Sequence, residues 1–309
     1  MSVSATEIAT PALYSYPIGL PGHPLGDGFF IRDGYTVENT WYNPGSWHTG
    51  EDWYALNNAE TAGARVYAVA DGQVVYAEGN YPGRVVIIQH AAALFSMYGH
   101  LDNALAVQVG QTVKRGALIG TVGRRNDNVP NHLHFEIRTF LTTAAVNGNA
   151  PRYPFKCGAG CPPGPGYWPF NAPDLPSQVG WRNPTHVIAH RAFPPTLPIP
   201  IGEVVVATQP VSDSLPLWSS LSSAGKPSQP LDDLALKPGD RFALLEVRAG
   251  PEDSRTPTAQ GYRLWYRIAL PDEQSGWVQA AVPSTFEHGT DGRPSSVMFN
   301  FFPAVVPLS

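Results

Sequence analysis

Charge is scarce in this chain. Asp, Glu, Lys and Arg make up only 15% of its 309 residues, and the formal net charge is −5. No basic excess exists to hold a phosphate backbone, which excludes nucleic acid as a partner on electrostatic grounds. Cysteine is nearly absent. Cys157 and Cys161 stand in C-x-x-x-C spacing inside a Pro/Gly loop, which suits a tight disulfide and lacks the nearby ligands that a zinc knuckle needs. Long apolar runs are missing too: nothing approaches the ~18 consecutive apolar residues of a membrane span. The N-terminal Met1 to Ala5 has neither the basic nor the apolar region of an export leader.

Apolar and loop-forming residues are plentiful. Hydrophobic residues reach 43%, with 13 Phe, 13 Tyr and 8 Trp, enough to build real cores and to make disorder a poor description. At roughly 150 residues per domain the length allows two domains. With 32 Pro, 30 Gly and no long helical periodicity, the composition points to a loop-rich, mainly antiparallel β protein.

The chain opens on an irregular lead-in over residues 1–40. From 65 to 138 the pattern is β. Arg65–Ala70 and Gln73–Ala77 flank Asp71-Gly72, the dipeptide that most strongly signals a hairpin. Arg84–His90 and Ala93–Tyr98 read as two further strands. Val109–Val113 and Ala117–Val122 read as a pair around a turn at 114–116. Residues 141–180 break the regularity with eight prolines, among them Pro151, Pro162, Pro163, Pro169 and Pro176, which forbid interior strands and helices. Structure resumes at Asn183–Ile188, and 193–200 reads as a stiff polyproline linker. Beyond it, Glu203–Thr208, Leu236–Glu246, Arg263–Ala269 and Ser275–Val278 are short strands spaced as in a small barrel, followed by a tail from 286.

The chemistry concentrates around His132–Ile137, HLHFEI. Read as a strand, its period of two turns His132, His134 and Glu136 to one face and Leu133, Phe135 and Ile137 to a core. Upstream, His48 and Asp52 form H-x-x-x-D, with His48 expected on a loop and Asp52 at a strand start. Two imidazoles and a carboxylate make the three-ligand set of a catalytic zinc site, which leaves a fourth position for water. His100, expected just past a strand end, and His132 remain as candidates for the base and for the oxyanion donor, with their roles interchangeable at this point. Glu136 reads either as the acceptor behind a ligating imidazole or as a solvated carboxylate. His23, His90, His186, His190 and His288 carry no assigned chemistry.

H-x-x-x-D, then Y-x-H-L, then H-L-H-F-E resembles, in this order, the lysostaphin-type (LytM-like) zinc endopeptidases that cut peptidoglycan peptides. The resemblance covers roughly residues 14–190, including the stretches Ala64–Tyr76, Val109–Gly123 and Asn183–Ile188. It implies zinc ligands His48, Asp52 and His134, a catalytic non-ligand pair His100 and His132, and Tyr98 lining the cleft. It departs from the family at Asn126–Asn131, where many members have a Ser-Thr-Gly turn, and in the length of the 141–180 insertion. Residues 201–285 resemble bacterial SH3-like wall-binding modules, more loosely over 212–230.

The expectation is therefore a peptidase domain over 1–190, a linker over 191–200, an SH3-like module over 201–285 and a tail. The expected protein is a monomer that takes one zinc, acts on bacterial peptidoglycan, and is extracellular or wall-associated, its leader absent from these residues. A catalytically inactive wall-binding or amidase-regulating protein on the same scaffold is the alternative. A lipoyl-type carrier is excluded, because the Asp71-Gly72 turn carries no swinging lysine.

Overall fold

A computed structural model describes residues 14–23, 25–38, 43–79, 83–126, 129–142, 144–147, 162–164, 166–191, 202–206, 214–222, 227–249, 264–270, 274–283, 297–298 and 304–306. Cys157, Cys161, the 193–200 linker, His288 and most of the tail lie outside these residues.

The N-terminal half runs β1 (Ile18–Gly19), β2 (Phe29–Asp33), β3 (Ser46–His48), β4 (Glu51–Ala55), β5 (Arg65–Tyr67), β6 (Gly72–Glu78), β7 (Arg84–Ala91), β8 (Leu94–Leu101), β9 (Thr112–Val113), β10 (Leu118–Thr121) and β11 (Leu133–Arg138). The helix α1 (Ala144–Asn147), β12 (Tyr167–Pro169), α2 (Pro176–Val179), β13 (Trp181–Arg182) and α3 (Pro184–Arg191) follow. The main sheet is antiparallel in the order β2-β4-β11-β8-β7-β6-β9. Its centre is β11, where His134 stands opposite Asp52 of β4 on one side and Gly99 of β8 on the other. Leu133, Phe135 and Ile137 join the core as their alternation requires. The opposite face of β11 is buried as well, and Glu136 and Arg138 are both fully enclosed.

The Pro-rich segment explains that burial. Its described part and the strand just after it return over the polar face, with β12 pairing to β3 and β13 to the end of β11. Trp168 and Trp181 are buried with their rings 5.4 Å apart. Two large apolar side chains thus close a surface that would otherwise be solvated, and each such burial is worth roughly 1.5–3 kcal/mol.

Two expected hairpins are absent. β5 does not pair with β6 across Asp71-Gly72. It lies in a second sheet with β1 and β10, while β6 pairs with β7 and β9. The chain changes sheet at 68–71 and again at 114–117, and the two corners bond to each other: Ala68 N–H donates to Ala117 O and Gly116 N–H to Ala68 O. Asp71 locks them by accepting from Arg115 N–H and Lys114 Nζ, each at 2.8 Å. A turn signal reports that the chain reverses and says nothing about which strand it reverses onto.

The C-terminal part holds β14 (Gly202–Val205), β15 (Ser214–Leu215), β16 (Trp218–Leu221), β17 (Pro227–Pro230), β18 (Leu234–Ala235), β19 (Arg241–Ala249), β20 (Leu264–Ala269), β21 (Ser275–Pro283), β22 (Val297–Met298) and β23 (Ala304–Val306). The expected strands are present as an antiparallel meander β14-β19-β20-β21. Among the described residues their path continues through β22 to β2, with β16 also pairing to β21, and these pairings do not by themselves outline a separate closed barrel.

Gly72 starts β6 against β7, and a Cβ there would lie 2.5 Å from Gln89 O and 2.7 Å from Ile88 Cγ2. Gly72→Ala should force the strands apart at a cost of about 1–3 kcal/mol and lower the melting temperature by several degrees. A melting curve that superimposes on that of the parent protein would contradict this packing.

Candidate metal centre

Antiparallel pairing of β4 with β11 sets Asp52 beside His134, and the short β3 returns His48 to the same point. Gly50 permits the tight β3–β4 passage over β11, since a Cβ there would meet Phe135 O at 2.4 Å. His48 Nε2 lies 3.0 Å from His134 Nδ1 and 3.4 Å from Asp52 Oδ1, and His134 Nδ1 lies 3.0 Å from Asp52 Oδ1. All three residues are buried.

The atoms behind each imidazole decide what these edges mean. His48 Nδ1 sits 3.1 Å from Asp33 O and 3.3 Å from Gly34 O. Carbonyls only accept, so the hydrogen of this ring is on Nδ1 and Nε2 presents a lone pair. His134 Nε2 sits 3.1 Å from Glu136 Oε1, which draws its hydrogen to Nε2 and turns the lone pair of Nδ1 to the same point. With the Asp52 carboxylate, three acceptors converge at separations of 3.0–3.4 Å. Three acceptors at that range repel unless a positive charge lies between them. A tetrahedral ion with nitrogen and oxygen ligands at 2.0–2.1 Å gives ligand–ligand edges of about 3.3 Å, and the donor set fits it.

In the absence of an ion a proton must supply that charge. Burial acts against a charged imidazole, but hydrogen bonds to Asp52 and Glu136 outweigh it and raise the pKa of His134 to about 9. Burial likewise acts to raise Asp52, yet His48 and His132, with the His134 hydrogen bond, hold it well below the usual carboxylate range.

Glu136 is the acceptor behind a candidate ligand, and it is not solvated. Its two oxygens take Thr49 Oγ1 at 2.7 Å, Trp181 Nε1 at 3.0 Å and Arg138 Nη1 at 3.3 Å, besides His134. Arg138 also donates to the carbonyls of Pro162, Pro163 and Leu141. Continuing the alternation of HLHFEIR two residues past Glu136 identifies Arg138 from the sequence. Thr49 and Trp181 carry no such signal. Glu51, next to Asp52, accepts from Thr185 N–H and Trp53 Nε1 and so ties α3 to β4. Burial pushes it up to about 7 against those bonds.

His132 precedes β11 and reaches the site from its edge. Its Nδ1 is 2.8 Å from Pro130 O, the Tyr54 ring stacks on it at 5.0 Å, and its Nε2 lies 3.7 Å from Asp52 Oδ2. Burial lowers the pKa of His132, with Asp52 opposing. His100 lies within β8, rather than past a strand end as expected, in the left-handed region at φ 59°. The register slips by one residue between the pairs Val86↔Tyr98 and Arg84↔Leu101. This bulge lets Tyr98 and Leu101 both enter the core while His100 turns to the site face. Its ring centroid is 4.6 Å from that of His132 and 6.1 Å from that of His134.

Tyr98 does not line the cleft. It stands opposite Phe135 on the core face, fully buried, and its hydroxyl takes Val69 N–H at 2.9 Å and lies 2.9 Å from Ser96 Oγ. Strand parity decides this, because Phe135 and His134 face opposite ways. The aromatic rings at the site belong to Tyr54, on His132, and to Tyr167, whose centroid is 5.1 Å from that of His48.

Residues 47–149 match the profile of peptidase family M23. That stretch is an M23 peptidase domain. It contains His48, Asp52, His100, His132 and His134. The chain is 37% identical over 91 residues to the peptidoglycan DD-endopeptidase ShyB of Vibrio cholerae, covering 29% of this chain and 20% of that protein. It is 34% identical over 120 residues to the murein hydrolase activator EnvC of Escherichia coli, covering 38% and 27%. These matches span about a fifth to a quarter of the relatives' lengths. A solved zinc-containing peptidase from Vibrio cholerae aligns over 41% of this chain and 37% of its own, at 27% identity and a TM-score of 0.33. The relatives matched thus include both an endopeptidase and an activator of hydrolases.

Because His134 holds a proton up to about pH 9, an ion entering the M23 site must displace it. Affinity for a divalent ion should rise about tenfold per pH unit from 7 to 9 and then level off. Titrations at several pH values in weakly coordinating buffer check this, and affinity flat across that range would contradict it.

Proposed function

We propose that the protein is a zinc-dependent endopeptidase acting on the peptide portion of bacterial peptidoglycan, with His48, Asp52 and His134 holding one zinc. The observation that carries this reading is the convergence of three acceptors within 3.4 Å, each imidazole backed by its own acceptor. Zinc, when bound, lowers the pKa of its water to about 7 and polarises a carbonyl.

The chain's own residues supply the remaining work. His132, neutral because burial disfavours its charge and with Nδ1 committed to Pro130 O, takes or returns a proton at Nε2. His100, aimed by its bulge, presents a second imidazole beside it and donates to the developing oxyanion. Tyr54 and Pro130 keep His132 in one orientation. The covering indoles of Trp168 and Trp181 keep water away from Glu136, so the charge behind His134 stays strong.

The C-terminal meander serves as an SH3-like wall-binding module, which raises the effective concentration of an insoluble substrate. A monomer acting outside the cytoplasm fits that arrangement, with the peptidase unit over 1–190 and the module over 201–285. The kinship with hydrolase activators favours one second reading, a non-catalytic regulator that binds sacculi. The complete ligand set and both auxiliary histidines weigh against it.

Defined cross-linked muropeptides, digested with a chelator control and read by mass, test the proposal. The parent protein should carry one zinc and release new amino termini. His134→Ala should lose both metal and activity, while His132→Ala should keep the metal and lose about 10²–10⁴-fold in rate. Failure to retain zinc after dialysis against it sinks the enzyme reading. Binding of sacculi with zinc present and no new amino termini would favour the regulator.

A further inference from the structure

His132 stands one residue before β11, so the strand pairing that fixes His134 does not reach it. Its Nδ1 is 2.8 Å from Pro130 O and 3.2 Å from Tyr54 Oη. These two neighbours pull the ring hydrogen in opposite directions. A carbonyl only accepts, so Pro130 O keeps the hydrogen on Nδ1 and leaves Nε2 with a lone pair toward Asp52. A hydroxyl also donates, and a hydrogen given to Nδ1 by Tyr54 would send the ring's own hydrogen to Nε2. A neutral imidazole protonated at Nε2 cannot take a proton there. The direction of the Pro130 carbonyl therefore decides whether His132 is competent as a base.

Asn131 lies between that carbonyl and that ring, and both ends of its amide are in use. Its Oδ1 accepts Arg125 N–H at 2.8 Å, and its Nδ2 donates to Glu60 Oε1 at 3.0 Å. A flipped amide would set donor against donor and acceptor against acceptor, so only this orientation satisfies both contacts. Glu60 is a fixed anchor. Its Oε1 also accepts Ala62 N–H at 2.9 Å, and its Oε2 accepts Arg124 Nη1 at 3.0 Å. Ala62 N–H, the Asn131 amide and Arg124 together hold the Glu60 carboxyl below the usual carboxylate range. The β4–β5 loop that carries it is tied down as well. Ala55 N–H donates to Thr61 Oγ1 at 3.0 Å, and Gly63 N–H donates to Val122 O at 2.8 Å. One amide thus closes the neck of the 125–131 turn and latches that turn to a neighbouring loop. This turn is also where the sequence departs from the family's Ser-Thr-Gly pattern.

We propose that Asn131 is a positioning residue for His132: by bridging Arg125 N–H and Glu60 it fixes the Pro130 carbonyl, and through it the Nδ1–H tautomer of the imidazole. The consequence for rate rests on the endopeptidase reading, whereas the tautomer rests on the hydrogen bonds alone.

Nitrogen-15 spectra of the histidine-labelled, zinc-loaded full chain read the tautomer, with His132→Gln identifying the signal. They are recorded at about pH 8, where a ring whose pKa burial lowers is neutral. Digestion of a cross-linked muropeptide reads kcat and KM separately. The parent protein should hold His132 as Nδ1–H. Asn131→Ala removes both bonds, and Asn131→Asp sets a second carboxylate against Glu60. Each should shift the signal toward Nε2–H and lower kcat at least about tenfold, with KM within about twofold and zinc content unchanged. Adding Glu60→Gln to Asn131→Asp exchanges donor and acceptor across the same contact, and should restore most of the Nδ1–H form and of kcat. A parent-like tautomer in both single variants, or a double variant no better than Asn131→Asp alone, overturns the inference. A tautomer shift that the double variant reverses, in a protein that cleaves nothing, supports the latch and overturns the endopeptidase reading alone.

Discussion

Repulsion between three electron pairs organises this molecule. His48 Nε2, His134 Nδ1 and Asp52 Oδ1 converge because something behind each side chain holds it there: main-chain carbonyls behind His48, the Glu136 carboxylate behind His134, and the β4–β11 register beneath Asp52. None of these supports can donate to the centre, so the centre is complete only with a cation or a proton in it. The high proton affinity of His134 is the metal-free expression of that demand. Metal binding and protonation are thus alternative answers to one electrostatic problem.

Holding Glu136 ionised in a closed interior is costly, since a buried carboxylate needs every lone pair satisfied. The insertion resolves this. It brings the Pro162 and Pro163 carbonyls to Arg138, and the strand that follows it brings the Trp181 indole to the same carboxylate oxygen that Arg138 pairs with. The described prolines of that segment sit at the ends of its short elements or between them, and at 162–163 they supply carbonyls without competing N–H groups. A stretch that reads as an interruption of the fold therefore forms the outer wall of the site.

Much of this was legible in the sequence. The alternation of HLHFEI places His134 and Glu136 opposite the core, and the H-x-x-x-D upstream supplies the remaining donors, because side-chain parity and donor chemistry are local properties. The Asp71-Gly72 hairpin was misread because strand partnership is non-local, and the corner at 68–71 satisfies its backbone on the corner at 114–117. Tyr98 was placed in the cleft by resemblance alone, whereas its pairing with Phe135 sends it to the core. The bulge that frees His100 left one trace, the Gly99 before it. Thr49, Trp181 and the carbonyls behind His48 left none, since their roles exist only after distant segments meet.

The account stands or falls on what occupies the point between His48, Asp52 and His134. X-ray absorption at the zinc edge of the zinc-loaded protein measures it directly. A four-coordinate shell of nitrogen and oxygen at about 2.0–2.1 Å, with the multiple scattering of two imidazoles, is the predicted result. A six-oxygen shell, or one with fewer than two imidazoles, would contradict it.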